Sequence, residues 1–130
     1  MSIPFVCVFV MLLIVYLSRL PVSLAMNKST GGYDNKNPRD QQAQLTGWGR
    51  RALAAHHNSL ESFAPFAAGV VICYLAKGSL VGSTVLSLLY IAARIAFVML
   101  YLADRATARS LVWIVGVLAT LGLYILPWLS

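Results

Sequence analysis

Apolar residues run along this chain in four long blocks: Ile3 to about Ala25, about Gly49 to Ala76, Leu80 to Ala103, and residues 108–129. Each is near the ~20 residues that a helix needs to cross a bilayer. The breaks between them are polar. Met26 to Thr46 is the one extended polar stretch. Gly31, Gly32 and Pro38 punctuate it, so it reads as a loop, with helix resuming near Asp40 or Thr46, two plausible N-caps. Lys77-Gly78-Ser79 reads as a tight turn and Asp104 to Arg109 as a short charged connection. The pattern predicts an all-α, integral membrane four-helix bundle occupying residues 1–130 as one domain. No Lys or Arg precedes Arg19, so the first block reads as a retained helix rather than a signal peptide.

Composition agrees with the pattern. The chain is 59% hydrophobic and 11% charged with a mean hydropathy of +0.76, against about 25% charged in soluble domains. The net charge of +6 arises from cations at the ends of apolar runs. With no basic helix or aromatic platform, that distribution argues against nucleic acid and for the positive-inside rule. Lys28, Lys36, Arg39, Arg50 and Arg51 flank the first loop and Arg105 and Arg109 the third, while the second loop has only Lys77. Loops one and three are therefore expected in the cytoplasm, with both termini outside. Cys7 and Cys73 sit in apolar runs and read as small hydrophobes; no metal site is read.

Ionisable residues inside the blocks are the exceptions, and such residues are functional candidates because they are costly in hydrocarbon. Arg19, Glu61 and Arg94 each lie 15 or 16 residues from the outer end of their span, roughly 22 to 24 Å. Asn58, Tyr101 and Ser110 lie at roughly 28 to 33 Å by the same ruler, with Arg109 one residue further out. Polar groups thus converge in two adjacent layers at the loop end. His57, Asn58 and Glu61 share a helical face by their i,i+3 and i,i+4 spacing, and Arg94 and Tyr101 share another. A lone carboxylate and a lone guanidinium at one depth are expected to pair, joining spans two and three through Glu61 and Arg94. Plainer roles compete: snorkelling for Arg19, positive flanks for Arg105 and Arg109, an interfacial place for His56, and aromatic-belt anchoring for Trp48, Tyr124 and Trp128. Small residues at Ala92, Ala93, Ala96, Gly116, Ala119 and Gly122 are expected to allow close helix packing.

The pattern Asn58-x-x-Glu61-x-x-x-Pro65, followed by Ala93-Arg94, Tyr101 and Arg109-Ser110, resembles the MAPEG family, membrane-associated proteins in eicosanoid and glutathione metabolism. Span number, order and loop lengths agree from Pro4 onward, and the first loop looks more like that of bacterial members. The resemblance implies a homotrimer in a bacterial inner membrane, with glutathione between subunits near the cytoplasmic boundary. It implies that Asn58 and Glu61 hold the tripeptide, Arg94 lies behind them, Tyr101 contacts the cofactor, and Arg109 and Ser110 lie beside the thiol and carry the catalysis. His57, where the eicosanoid enzymes often carry Arg, and Arg105 complete the cofactor-binding set.

The activity so implied is a glutathione-dependent transferase or peroxidase whose partners are the bilayer, copies of the chain and lipophilic small molecules. Phe97 and Trp113 stand where those enzymes tend to have polar or tyrosyl contacts, and Ile114 and Val117 are apolar. A non-catalytic family member is therefore an open alternative. A proton-coupled drug exporter using Glu61 is another, although such exporters usually carry the carboxylate in their first helix.

Overall fold

Two prolines set the shape of the first half. The computed structural model describes residues 1–130 and begins with α1 (Ile3–Leu17) and α2 (Arg19–Asn27), which meet at Ser18. The first apolar block is thus two helical segments where one continuous helix is expected. Pro21 is the cause: it has no N–H to offer the carbonyl of Leu17, and its ring crowds that carbonyl. Pro38 acts oppositely. At the first helical position its fixed φ favours a helix start, and the short α3 (Pro38–Ala43) forms inside the polar stretch, near one of the two starts read from sequence.

Three long helices follow: α4 (Gly47–Leu75), α5 (Leu80–Leu102) and α6 (Ala106–Leu129). Helix α4 begins directly after Thr46 and α6 directly after Arg105, so the third connection is shorter than its charged stretch. Both inter-helix turns use a residue in the left-handed region, Lys77 at φ 59° and Asp104 at φ 59°. In each, the following N–H reaches five residues back, from Gly78 to the Cys73 carbonyl at 2.8 Å and from Arg105 to the Leu100 carbonyl at 2.9 Å. That is the Schellman closure of a helix C-terminus.

The long helices form a bundle in which α1 and α6 flank the α4–α5 pair, and α5 and α6 pack most extensively. Its core follows helical spacing: Cys7, Met11 and Val15 from α1 meet Phe66 and Val70 from α4, Tyr90 from α5, and Ala119 and Leu123 from α6. A second core at the loop end joins Val22 and Met26 to Leu45 and Ala52. Of the small residues expected to allow packing, Ala93, Gly116 and Ala119 are buried, Ala96 and Gly122 are half-buried, and Ala92 faces outward. Only 22–28% of each span's most apolar stretch is buried within the chain, so most of the apolar surface faces outward. Water could not solvate four such faces, and the chain is a multi-pass membrane protein.

Tyr124, expected in the aromatic belt, is half-buried against α4. Its hydroxyl donates to the Pro65 carbonyl at 2.8 Å, and its ring lies so close to Gly69 that a Cβ there would meet it at 2.9 Å. Glycine is what allows α4 and α6 to touch at this level.

Candidate functional site

Toward the loop end from Tyr124, α4 and α6 separate and leave a recess of about 300 Å³. Helix α4 lines it with Asn58, Glu61, Ser62 and Pro65, whose spacing places them on one face. Pro65 cannot donate to the Glu61 carbonyl; α4 nevertheless runs through it without a break. Helix α5 contributes Tyr90 and Arg94 at the back, and α6 a largely apolar wall that includes Trp113 and Val117.

Arg94 dominates the interior. It is 2% exposed, yet no carboxylate meets it. Its Nη2 lies 3.4 Å from Ser59 Oγ, its guanidinium carbon sits 4.3 Å from the centre of the Phe97 ring, and its Nε has no partner. The Glu61–Arg94 ion pair expected from sequence does not form. The reason is helical phase. Ser59 is the fully buried position of α4 at this level. Glu61, two residues on, is turned about 200° away around the helix and is exposed. The matching depth holds, but the carboxylate and guanidinium approach the recess from different sides. Asn58 Oδ1 is also buried without a partner, so a donor and an acceptor remain unsatisfied around the same space, a costly arrangement.

Tyr90 closes the deep end. Its hydroxyl donates to the Ser62 carbonyl at 3.1 Å and lies 3.0 Å from Ser62 Oγ, while its ring stacks on Phe66 with centroids 3.8 Å apart. In the other direction an aromatic stack leads to the loop end. Phe97 meets Tyr101 edge-on at 5.5 Å, and the Arg109 guanidinium lies 4.3 Å from the Tyr101 ring centre. Two arginines are therefore joined by two rings, held by attraction to their π faces. Phe97, a departure when read from sequence, is the central member of this stack. The signal was present in the i,i+3 and i,i+4 spacing of Arg94, Phe97 and Tyr101.

The structure thus places Asn58, Glu61 and Arg94 around the recess and pairs Tyr101 with Arg109 along the same α5–α6 seam. Arg109 precedes Trp113 by one helical turn, so it continues the recess-lining face of α6. Ser110 and Arg105 are exposed at the start of α6. His57 is exposed and lies outside the recess, its ring 6.0 Å from that of His56. His56 is not merely interfacial. Its Nδ1 lies 2.9 Å from Ser18 Oγ, whose own hydroxyl donates to the Val15 carbonyl at 2.7 Å. It therefore ties α4 to the α1–α2 break. Arg19 is anchored as well, donating to the Tyr33 hydroxyl at 3.1 Å.

Neither the curated proteins nor the solved structures yield a match to this chain. A family model does: it covers residues 3–129, almost the whole length, and on that match, over a four-span helical bundle, the chain belongs to the MAPEG family.

Proposed function

We propose that the protein is a membrane-embedded, glutathione-dependent transferase or peroxidase that acts on lipophilic electrophiles and assembles as a homotrimer in a bacterial inner membrane. The observation that carries the reading is the recess itself, a space reached by a buried, unpaired Arg94 on one side and an exposed Glu61 on another. Opposite charges across a small cavity suit a zwitterion. The ammonium and carboxylate at the γ-glutamyl end of glutathione supply both counter-charges, and the unpartnered Arg94 Nε and Asn58 Oδ1 offer a donor and an acceptor.

When bound, glutathione would supply a thiol nucleophile. A free thiol has a pKa near 8.5, and the Arg109 guanidinium and Ser110 hydroxyl at the loop end of α6 favour its ionised form. Lowering that pKa by about one to two units corresponds to roughly 1.4 to 2.7 kcal/mol. Tyr101 holds Arg109 by its ring face, and Phe97 holds Tyr101 and Arg94. Arg105, exposed at the start of α6, adds positive charge at the loop end for an anionic tripeptide, and His57, exposed on α4, is a further polar contact for it. The apolar α6 wall is suited to an electrophile arriving from the hydrocarbon.

The test is turnover by purified protein of a chloronitrobenzene or a lipid hydroperoxide with glutathione. Arg109→Ala is expected to lower kcat by about 10²-fold, the usual loss for one electrostatic donor. No turnover in either protein refutes the catalytic reading. A non-catalytic family member is favoured by one observation: Phe97 is buried against the Arg94 guanidinium, at a position where the family resemblance implies polar or tyrosyl contacts to glutathione. Calorimetric binding of glutathione without turnover would support that alternative.

A further inference from the structure

At the opposite end of the bundle the helices diverge again. A groove of about 510 Å³ opens between the start of α1, the end of α4 and the start of α5. Its floor is buried and asks for nothing polar. Pro4 and Val70 are apolar, and the hydroxyl of Ser83 is turned onto the Leu80 carbonyl at 3.1 Å. Its rim is exposed and apolar at Leu75 and Leu80, with Phe5 and Tyr74 in edge-to-face contact at 5.2 Å. One charged residue lines it, Lys77, held in the inter-helix turn at φ 59°.

Position and charge say what fits. Lys77 marks the end of α4 at headgroup level, and Val70 lies seven residues back along the helix, roughly 10 Å deeper. The groove therefore runs from a cation at the membrane surface into hydrocarbon, the axis of a phospholipid. Lys77 is the only basic side chain at this end; the other nine Lys and Arg residues and all four acidic side chains lie along the halves of the helices nearer the loop end, or in the loops there. A phosphate finds a counter-ion here. A choline or ethanolamine headgroup finds no acidic side chain.

We propose that this groove is a binding site for an anionic phospholipid, with the phosphate on Lys77 and one acyl chain along Val70, Phe5 and Ser83. The site is separate from the recess and does not rest on the catalytic reading.

Delipidated protein in detergent, offered phosphatidylglycerol and phosphatidylcholine of identical chains, tests it by native mass spectrometry. Phosphatidylglycerol is expected to be retained preferentially. Lys77→Gln is expected to lower its occupancy about 5-fold, from roughly 1 kcal/mol per basic residue at an anionic surface. Leu80→Trp, at the exposed rim, is expected to displace the lipid without loss of fold. Three outcomes overturn the proposal. The two lipids bind equally and Lys77→Gln changes nothing; glycerol phosphate competes as well as the intact lipid; or the groove is covered by a second copy of the chain, so that lipid loss tracks self-association.

Discussion

Helices α4 and α6 meet in two ways along one seam. Around Gly69 and Tyr124 they touch, with the tyrosine ring laid against glycine and its hydroxyl on the Pro65 carbonyl. A few turns toward the loop end they separate around Asn58, Glu61 and Trp113. In the closed half the one hydroxyl at the contact, that of Tyr124, has its acceptor. The open half contains two buried polar atoms without partners and a guanidinium without a carboxylate. A membrane protein gains little from a hydrophobic drive between helices, so close contact depends on small residues and shape. Glycine closes one half of the seam. In the other, the bulk of Trp113 and the presence of three polar side chains leave a gap that a ligand can use.

The sharpest way to break the contrast is to remove the charge. Arg94→Leu replaces a buried, unpaired cation with a shorter apolar side chain of comparable volume. Loss of charge-assisted contacts worth about 1.5 to 3 kcal/mol predicts a glutathione affinity lower by roughly 10- to 150-fold in calorimetry. Stability is expected to hold or rise, because the desolvation cost of the guanidinium disappears. A lower melting temperature with unchanged affinity would mean that Arg94 serves the bundle and not the recess.

The closed half can be forced open. A Cβ at Gly69 would stand 2.9 Å from the Tyr124 ring and 3.3 Å from Leu123 Cβ, so Gly69→Leu must push α6 away. Overpacking of this kind costs about 1 to 3 kcal/mol, expected as a lower midpoint in thermal unfolding in detergent. Phe97→Leu probes the aromatic stack. It is expected to cost about 1 kcal/mol, the scale of a partly desolvated cation–π contact. If the two arginines act together, this variant raises the KM for glutathione more than it lowers kcat.

Much of this contrast can be traced in the sequence, and some of it cannot. Span number and turns follow from apolar run length and from Lys77-Gly78-Ser79, because a bilayer allows little else. The depth ruler sets Glu61 level with Arg94, and the residue that Arg94 contacts, Ser59, lies two positions away, about 3 Å along the helix. Depth gives height but not azimuth. Whether Glu61 or Ser59 faces Arg94 depends on how α4 is rotated in the bundle, and that is set by Phe66, Val70 and the α1 core rather than by spacing. The break at Ser18 was signalled by Pro21 and by the polar Ser18-Arg19 pair, but the apolar run resumes beyond Arg19, so the block reads as one span. His56 and Tyr124 read as interfacial because their partners, Ser18 and the Pro65 carbonyl, lie 38 and 59 residues away.

The smallest expected effect lies at the junction of the two halves. Tyr124→Phe keeps the ring against Gly69 and deletes only the hydroxyl that donates to Pro65. Interhelical hydrogen bonds within membranes average about 0.6 kcal/mol, so the midpoint should fall only slightly. Its effect on the recess separates two accounts of the seam. If ring packing alone defines where α4 and α6 part, glutathione affinity stays at the wild-type value. If the bond pins the proline, freeing it lets α4 shift at the point where the Glu61 carbonyl has already lost its helical donor, and affinity falls in step with stability. Calorimetry and thermal unfolding on the same preparation distinguish the two.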